Sequence, residues 1–225
     1  MILAAGRGER MRPLTDTLPK PLIEVGGKPL IVHHIERLAA AGIEEIVVNI
    51  AHLGHLLPET LGDGARWGVR LRYSDERGSG ALESAGGIVK ALPLLGDAPF
   101  LVVNGDVLCK YAFDPTIVLG GASAHLILVP NPPHHRQGDF GLDAQGRALN
   151  GGTPRYTFAG IGYYSPRFFA GLPASKQALA PLLRAGMDEG RVRAELYTGL
   201  WCDVGTPQRL QQARALWQAK PSLGR

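Results

Sequence analysis

The sequence is poor in cysteine and has no long apolar run, and both absences restrict what the protein can be. Only two cysteines, Cys109 and Cys202, occur in 225 residues. Their separation fits no metal-binding spacing and they make a poor disulfide framework, so we expect a reducing compartment. No apolar run approaches the length of a bilayer-spanning helix, and the run from Met1 to Ala5 is too short for the apolar part of a signal peptide. We therefore expect a cytoplasmic protein that does not interact with membranes.

The chain also lacks the charge pattern of a nucleic-acid-binding protein. Its formal net charge is +4, but the cations cluster mainly in one opening segment instead of forming stripes interleaved with aromatic residues. This distribution favours an anionic small molecule as the partner and argues against nucleic acid. The hydrophobic share of 45% is ordinary, and the length suits one well-buried α/β domain. We expect residues 1–225 to form that single domain.

The most informative segment is the opening one, in which an apolar strand ends abruptly in glycines and cations. Gly6 and Gly8 have no Cβ, so the backbone can approach a ligand closely and point successive N–H groups at it. Positive charge beside these amides comes from four side chains: Arg7, Arg10, Arg12 and Lys20. A triphosphate, which carries several negative charges and must be held extended for in-line attack, fits such a segment.

Two common phosphate-binding loops are excluded by spacing. The dinucleotide fingerprint requires a third glycine three residues after the second, and Met11 occupies that position. The Walker loop requires Gly-Lys followed by serine or threonine, whereas Gly27-Lys28 is followed by Pro29. A bare Gly-x-Gly is weak evidence, because a tight turn with solvated arginines also explains it. The full order of glycines and cations is what favours a phosphate site.

Two aspartates, one from the middle of the chain and one from near its end, are candidate metal ligands. Asp106 follows an apolar strand and Gly105, and Asp203 precedes a helix that we expect to begin at Pro207. Ligands of open α/β sheets bind beyond the carboxyl ends of the strands, which points to Asp106. Each aspartate taken singly is more often a turn or cap residue. Together they can hold Mg²⁺, which binds through one or two carboxylates and shares the phosphates of a substrate.

These motifs resemble the sugar-1-phosphate nucleotidylyltransferase family over nearly the whole chain. The resemblance rests on Leu-Ala-Ala-Gly-Arg-Gly-Glu-Arg-Met-Arg-Pro-Leu-Thr at 3–15, Pro-Lys-Pro-Leu at 19–22 and Trp-Cys-Asp-Val-Gly-Thr-Pro at 201–207. It implies attack of a sugar-1-phosphate oxygen on the α-phosphorus of a nucleoside triphosphate, assisted by positioning and charge neutralisation. The implied residues are Ala4, Ala5, Gly6 and Lys20 at the nucleotide, Arg10 and Lys20 in catalysis, and Asp106 and Asp203 as ligands of Mg²⁺.

Further segments resemble the branch of that family that transfers UMP from UTP to N-acetylmuramate α-1-phosphate in peptidoglycan recycling. In Leu-Glu-Ser-Ala-Gly-Gly at 82–87, Glu83 can accept the uracil N3–H. Guanine also offers N–H donors, and Ser84 as a plain helix N-cap explains the segment without a ligand. The string Asn-Pro-Pro-His-His at 131–135, followed by Gly-Asp-Phe at 138–140, is the most branch-specific.

The same resemblance implies the sugar-binding residues. Asp139 and Asn104 are expected to hydrogen-bond sugar hydroxyls or the N-acetyl group, and Gly160 is expected to leave room for the ring. We expect His134 and His135 to be solvated turn residues without a catalytic role, because no third metal ligand lies nearby.

One departure from the family and two alternative functions stay open. Many relatives hold the sugar phosphate with the lysine of a Glu-Lys-Pro motif, but residues 150–154 contain no lysine; Lys176 lies elsewhere, near the Leu-Ala-Pro-Leu-Leu segment. The alternative enzyme is a mannose- or glucose-1-phosphate nucleotidylyltransferase using GTP, dTTP or UTP. The alternative of another class is a non-catalytic sensor, against which the four retained site residues argue: Arg10, Lys20, Asp106 and Asp203.

Helix and strand patterns alternate along the first half of the chain. We predict helices at 29–42, 52–61, 84–95, 179–189 and 207–218, and strands at 45–50, 69–74, 100–103, 124–129, 156–164 and 193–197, with a hairpin at 140–149. This order predicts an α/β fold with a mixed, mainly parallel sheet flanked by helices. By resemblance it is a Rossmann-like nucleotidyltransferase domain of the GT-A type.

Overall fold

The computed structural model describes residues 1–78 and 80–218. The strands are β1 (Ile2–Leu3), β2 (Glu24–Val25), β3 (Lys28–Pro29), β4 (Glu45–Ile50), β5 (Arg70–Asp75), β6 (Phe100–Asn104), β7 (Val107–Cys109), β8 (Ala124–Val129), β9 (Phe140–Leu142), β10 (Ala148–Leu149), β11 (Arg155–Tyr164), β12 (Val192–Leu196) and β13 (Trp201–Asp203). The helices are α1 (Leu30–Ala40), α2 (Leu56–Leu61), α3 (Glu83–Leu95), α4 (Leu179–Asp188) and α5 (Pro207–Gln218). None of these helices is both long enough and apolar enough to cross a membrane.

Nine of the strands form one mixed sheet. Strands β6, β1, β4 and β5 lie side by side and parallel. The long strand β11 is antiparallel to β6, β8 and β9, and β12 is parallel to β8. Because helices cover this sheet, the predicted fold class is confirmed.

Two hydrophobic cores, one on each face of the sheet, hold the helices in place. Successive strand residues point to opposite faces, so Val48 packs with α1 and α2 whereas its neighbour Val47 packs with α3 and α4. A third cluster joins Leu210 and Ala213 of α5 to buried residues of β7 and β13. Both cysteines, on β7 and β13, are free and buried, and burial raises the pKa of Cys202 to about 11.

Most predicted elements are found within two residues of their expected bounds, with two corrections. The helix expected at 52–61 begins only at Leu56, because Leu53 has a φ of +50° and the residues before it form a turn. Ser84 is not the N-cap of α3; Leu82 holds that position without a side-chain cap. The N–H groups of Ala85 and Gly86 instead donate to the Gln177 carbonyl at 3.0 and 3.3 Å.

Two small antiparallel pairs, β2 with β3 and β7 with β13, were not predicted. These strands have two or three residues each, which is too short for an alternating pattern to identify them. The β7–β13 pair is important for function, since it joins the middle of the chain to its last described helix.

Candidate active site

A cleft of about 990 Å³ opens at the carboxyl ends of β1, β4 and β6. Its lining includes the backbone at Ala4, Ala5 and Gly6, the cations Arg7, Arg10, Lys20 and Lys176, and the polar or acidic side chains of Asn49, Glu83, Asn104 and Asp106. Parallel strands end at the same edge of a sheet, and ligands of open α/β sheets bind there. The predicted phosphate-binding segment and Asp106 therefore share one cleft.

The segment after β1 is fixed at Gly8 and open at Gly6. The Gly8 carbonyl accepts hydrogen bonds from Thr15 Oγ1 and Met11 N, both at 2.8 Å. Gly8 has a φ of +65°, and a Cβ there would lie 2.8 Å from Thr15 Cγ2, so this turn requires glycine. A Cβ on Gly6 would meet no atom within 4 Å. The backbone at Gly6 thus faces open space, where a ligand can approach it.

Ala4 lines the cleft, and its amide has a hydrogen-bond partner within the protein. The N–H of Ala4 donates to Asn49 Oδ1 at 2.7 Å. Leu3 lies opposite Asn49 in the β1–β4 pairing, so the Asn49 side chain reaches the next N–H along the chain. The Ala4 N–H is thus engaged by Asn49, while Ala4, Ala5 and Gly6 all line the cleft, and their contact with a nucleotide stays a prediction.

The two predicted metal ligands lie on neighbouring segments. In the β7–β13 pair Asp203 is opposite Val107, and Val204 N donates to the Asp106 carbonyl at 2.8 Å. Each carboxylate has a cation beside it: Lys20 Nζ lies 2.5 Å from Asp106 Oδ2, and Arg209 Nη1 donates to Asp203 Oδ2. The structure thus brings together residues about a hundred positions apart in sequence, as the sequence analysis predicted.

The Asp106–Asp203 pair fits a hard divalent cation. Asp203 Oδ1 is buried, has no hydrogen-bond partner and lies 3.1 Å from His134 Nε2. Carboxylate oxygens are the ligands that Mg²⁺ prefers. Across residues 1–78 and 80–218 no three His, Cys, Asp or Glu residues are grouped to hold a metal. A cation bound here would therefore complete its shell with water and substrate phosphates, as Mg²⁺ commonly does.

A second cavity of about 330 Å³ adjoins the cleft and shares Arg10, Asn104 and Asp106 with it. Gly160 lies at an irregularity of β11, where the register shifts between Phe158 and Ile161, and has a φ of +72°. A Cβ on Gly160 would lie 2.6 Å from Asn104 Nδ2. The structure therefore places two of the three predicted sugar-binding residues in contact with each other at this cavity.

The third predicted sugar-binding residue, Asp139, is not among the described residues that line either cavity. Its carboxylate accepts from Phe158 N at 2.8 Å and lies 3.0 Å from His135 Nε2. Both oxygens are thus engaged within the protein, and a contact of Asp139 with the sugar stays a prediction. Asp139 holds β11 and His135, and His135 lines the cavity.

Glu83 lies at the far end of the cleft, at the start of α3. Its φ is +59°, which is uncommon for a residue with a side chain. Lys176 Nζ lies 3.6 Å from Glu83 Oε1, and both side chains are largely exposed. Lys176 therefore belongs to the Glu83 end of the cleft and does not line the smaller cavity.

The chain matches known proteins over its whole described length. Residues 1–220 match the family model described as Nucleotidyl transferase. The chain belongs to the nucleotidyl transferase family. It is 54% identical over 224 residues to the N-acetylmuramate alpha-1-phosphate uridylyltransferase of Neisseria meningitidis serogroup B, with 96% of each chain covered.

Two further relatives of this nucleotidyl transferase are more distant. A mannose-1-phosphate guanyltransferase of Yarrowia lipolytica is 31% identical over 242 residues, covering 96% of this chain and 63% of that one. A crystal structure from Bacillus anthracis, of a protein in complex with sucrose, superimposes with a TM-score of 0.82 at 22% identity, covering 100% of this chain and 96% of that one. This last likeness supports the fold alone.

Arg209 was not identified from the sequence, and His134 and His135 were expected to be solvated turn residues; all three line the smaller cavity of this nucleotidyl transferase. Arg209 is 8% exposed, and its guanidinium contacts both Asp203 and His134 Nε2, the latter at 2.8 Å. A Cβ on Gly205 would overlap that guanidinium. The Gly-Thr-Pro string at 205–207 marks the start of α5, and Arg209 lies four residues after Gly205, in the first turn of that helix.

Proposed function

We propose that this enzyme transfers UMP from UTP to N-acetylmuramate α-1-phosphate, giving UDP-N-acetylmuramate and pyrophosphate. The observation that carries the proposal is the 54% identity to the Neisseria uridylyltransferase over 96% of both chains. We place the reaction in the cytoplasm, in peptidoglycan recycling, with residues 1–225 acting as a single domain. The cleft and its adjoining cavity share Arg10, Asn104 and Asp106, so a nucleotide in one would lie beside a sugar phosphate in the other.

In the proposed reaction, an oxygen of the sugar phosphate forms a bond to the α-phosphorus of UTP. The bond from the α-phosphorus to its bridge oxygen breaks, and the electron pair leaves with pyrophosphate. The nucleophile is already an anion, so no general base is required. The work of the protein is therefore to align two anions and to neutralise their charge.

We assign the nucleotide to the larger cleft. Ala5 and Gly6 would contact it through the backbone, and Arg10 and Lys20 would neutralise the triphosphate and the departing pyrophosphate. Lys20 suits this role because its side chain is only 11% exposed and its ammonium is held by Asp106. Glu83, at the other end of the cleft, would accept the uracil N3–H.

We assign the sugar to the smaller cavity. Asn104 forms no side-chain hydrogen bond with the described residues, so its amide is available to a sugar hydroxyl or an N-acetyl group, and Gly160 leaves space beside it. Arg10 and Arg209 are the arginines that line this cavity, and a guanidinium can bind phosphate oxygens in a bidentate manner. We propose that they, and not Lys176, face the sugar phosphate.

We propose Mg²⁺ as the cofactor, held by Asp106 and Asp203. Members of the family generally use a divalent metal, and the two carboxylates provide the oxygen ligands that Mg²⁺ prefers. When bound, the cation would neutralise charge on the reacting phosphates. Without a cation, Lys20 and Arg209 compensate the two carboxylates.

The test is pyrophosphate release with Mg²⁺, crossing UTP, GTP, dTTP, ATP and CTP against four sugar 1-phosphates: N-acetylmuramate, N-acetylglucosamine, glucose and mannose. Turnover confined to UTP with N-acetylmuramate α-1-phosphate, with the product identified by mass spectrometry, is the expected result. Turnover with another pair would retain the reaction class and refute the substrate assignment.

One alternative has a specific observation in its favour. The Yarrowia mannose-1-phosphate guanyltransferase is 31% identical over 96% of this chain, so GTP with mannose 1-phosphate is the second candidate pair. Nucleotide binding without turnover for any pair would instead indicate a non-catalytic sensor.

A further inference from the structure

Glu76 is a fully buried carboxylate that the proposed reaction does not use. It follows β5, is 0% exposed and forms no ion pair with the described residues. Its Oε1 accepts from Asn49 Nδ2 at 2.7 Å and its Oε2 accepts from Leu82 N at 2.8 Å. A buried carboxyl group without such partners is strongly destabilising, so the side chain of Glu76 depends on Asn49 and Leu82 for its place in the fold.

The hydrogen bonds of Glu76 connect the two ends of the nucleotide cleft. Asn49 Oδ1 accepts from Ala4 N, the residue at which the phosphate-binding segment leaves β1. On the other side, Leu82 directly precedes Glu83, the proposed base-reading residue. The chain of contacts from Ala4 through Asn49 and Glu76 to Leu82 thus connects the phosphate-binding segment to the residue that precedes Glu83.

The fold around this chain of contacts leaves little freedom. A Cβ on Gly87 of α3 would lie 2.7 Å from Glu76 Oε1 and 2.9 Å from Asn49 Nδ2, so the helix can pack here only with glycine. Leu82 is held from its other side by Gln177 N, which donates to the Leu82 carbonyl at 2.9 Å. Glu83, which follows the hydrogen-bonded Leu82, adopts a positive φ. Such a conformation persists only when the surrounding structure imposes it.

We propose that Asn49 and Glu76 are positioning residues that fix the distance between the phosphate-binding segment at Ala4 and the base-reading turn at Leu82–Glu83. Glu76 is fully buried and Asn49 lines the cleft with its side chain engaged by Ala4 N and Glu76, so both act mainly through these hydrogen bonds. By fixing the distance between the two ends of the cleft, they set the affinity for the nucleotide and the preference for its base. This inference rests on the proposed function, because it takes the larger cleft as the nucleotide site.

The donor and acceptor pattern provides a sharp test. In Glu76→Gln the new NH₂ group must face Asn49 Nδ2 or Leu82 N, and both are donors. In Asn49→Asp the new carboxylate faces the carboxylate of Glu76. In the double variant the new amide at 76 donates to the new carboxylate at 49, while Leu82 N and Ala4 N keep their acceptors. The double variant also keeps the same net charge as the wild type.

We expect each single variant to raise the KM for UTP by about tenfold or more and to reduce the preference for UTP over GTP. The kcat at saturating UTP should change less. The double variant should recover the wild-type KM to within about threefold, because the two changes restore each other's hydrogen bonds. Glu59→Gln, at an exposed glutamate of α2, is the matched control and should leave the KM unchanged.

Three results would overturn the proposal. Single variants with lowered melting temperatures but wild-type KM and base preference would show a purely structural role, and an unrescued double variant would refute the hydrogen-bond pattern. If a single variant does not fold, a double variant that folds without recovering nucleotide affinity by calorimetry would equally refute it. Failure of the proposed function would show separately, as wild-type protein that does not turn over UTP with N-acetylmuramate α-1-phosphate; the KM comparison would then use the nucleotide it prefers.

Discussion

Replacing Gly160 by alanine tests how the sugar cavity is built. At a φ of +72° an alanine is strained by about 1–2 kcal/mol. The new Cβ would lie 2.6, 2.8 and 3.0 Å from Nδ2, Cγ and Cβ of Asn104. Because the Asn104 Cβ is among these atoms, rotating the amide alone cannot relieve the overlap, and overpacking of this kind costs a further ~1–3 kcal/mol. We expect a total loss of about 2–5 kcal/mol in the free energy of unfolding.

Gly171→Ala is the matched control for this variant. Gly171 has a φ of +77° but no atom within 4 Å of the Cβ position, so alanine there adds the backbone strain without the overlap. Urea unfolding of both variants should show Gly160→Ala to be less stable than Gly171→Ala by about 1–3 kcal/mol. Subtracting the stability loss of Gly171→Ala from that of Gly160→Ala removes the backbone strain that the two variants share.

Steady-state kinetics complete the test of the cavity. Displacement of Asn104 should raise the KM for the sugar phosphate about tenfold in Gly160→Ala, with the KM for UTP within about twofold of wild type. The Gly171→Ala variant should match the wild type in both constants. Equal stability losses in the two variants, together with an unchanged KM for the sugar phosphate, would refute both the contact with Asn104 and its place in the sugar site.

Three further predictions concern charge. Asp106→Asn or Asp203→Asn should each abolish turnover while melting temperature and circular dichroism stay near wild type; near-normal pyrophosphate release at saturating Mg²⁺ would contradict the metal assignment. Glu83→Gln should weaken the preference for UTP over GTP, because an amide offers a donor where a carboxylate only accepts; an unchanged ratio of kcat/KM values would show that Glu83 does not read the base. Burial lowers the pKa of His34 to about 4, against about 6.5 in an unfolded chain, so the unfolded state binds more protons and stability falls as the pH drops from about 6.5 to 4, by about 3 kcal/mol in all. In His34→Gln the free energy of unfolding, measured in urea from pH 7 to pH 4.5, should lose that part of its pH dependence, and an identical slope in both proteins would show that His34 does not titrate in this way.

The elements of the fold were predictable where the pattern extends over a turn of helix or several strand residues. β4 is buried from Ile46 to Ile50, as expected for a parallel strand covered on both faces, and its bounds match the prediction. α2 was placed too early because a turn at Leu53 interrupts the pattern, and a positive φ at a leucine has no sequence signal. The cap of α3 was misassigned because its acceptor, the Gln177 carbonyl, comes from a segment far along the chain.

The site residues, like the elements of the fold, could be predicted only where a recognisable local pattern contains them. Asp106 could be predicted because it follows a recognisable strand of the α/β sheet, and Asp203 because it precedes a recognisable helix. The β7–β13 pair that brings the two together had no signal in the sequence. The direction of a side chain within the site carries no comparable signal. Asp139 was assigned to the sugar because its segment is specific to one branch of the family, yet its oxygens serve Phe158 N and His135.

The residues that orient other site residues, instead of contacting a ligand themselves, are the hardest to predict from the sequence. Arg209 donates to Asp203 and His134 lies beside it, each from a different segment, and Asn49 accepts a hydrogen bond from the Ala4 amide. Each of these contacts joins chain positions at least six residues apart, so neither periodicity nor a local motif encodes it. A motif therefore locates the reacting groups in this protein, whereas the groups that orient them are defined only by the packing of the fold.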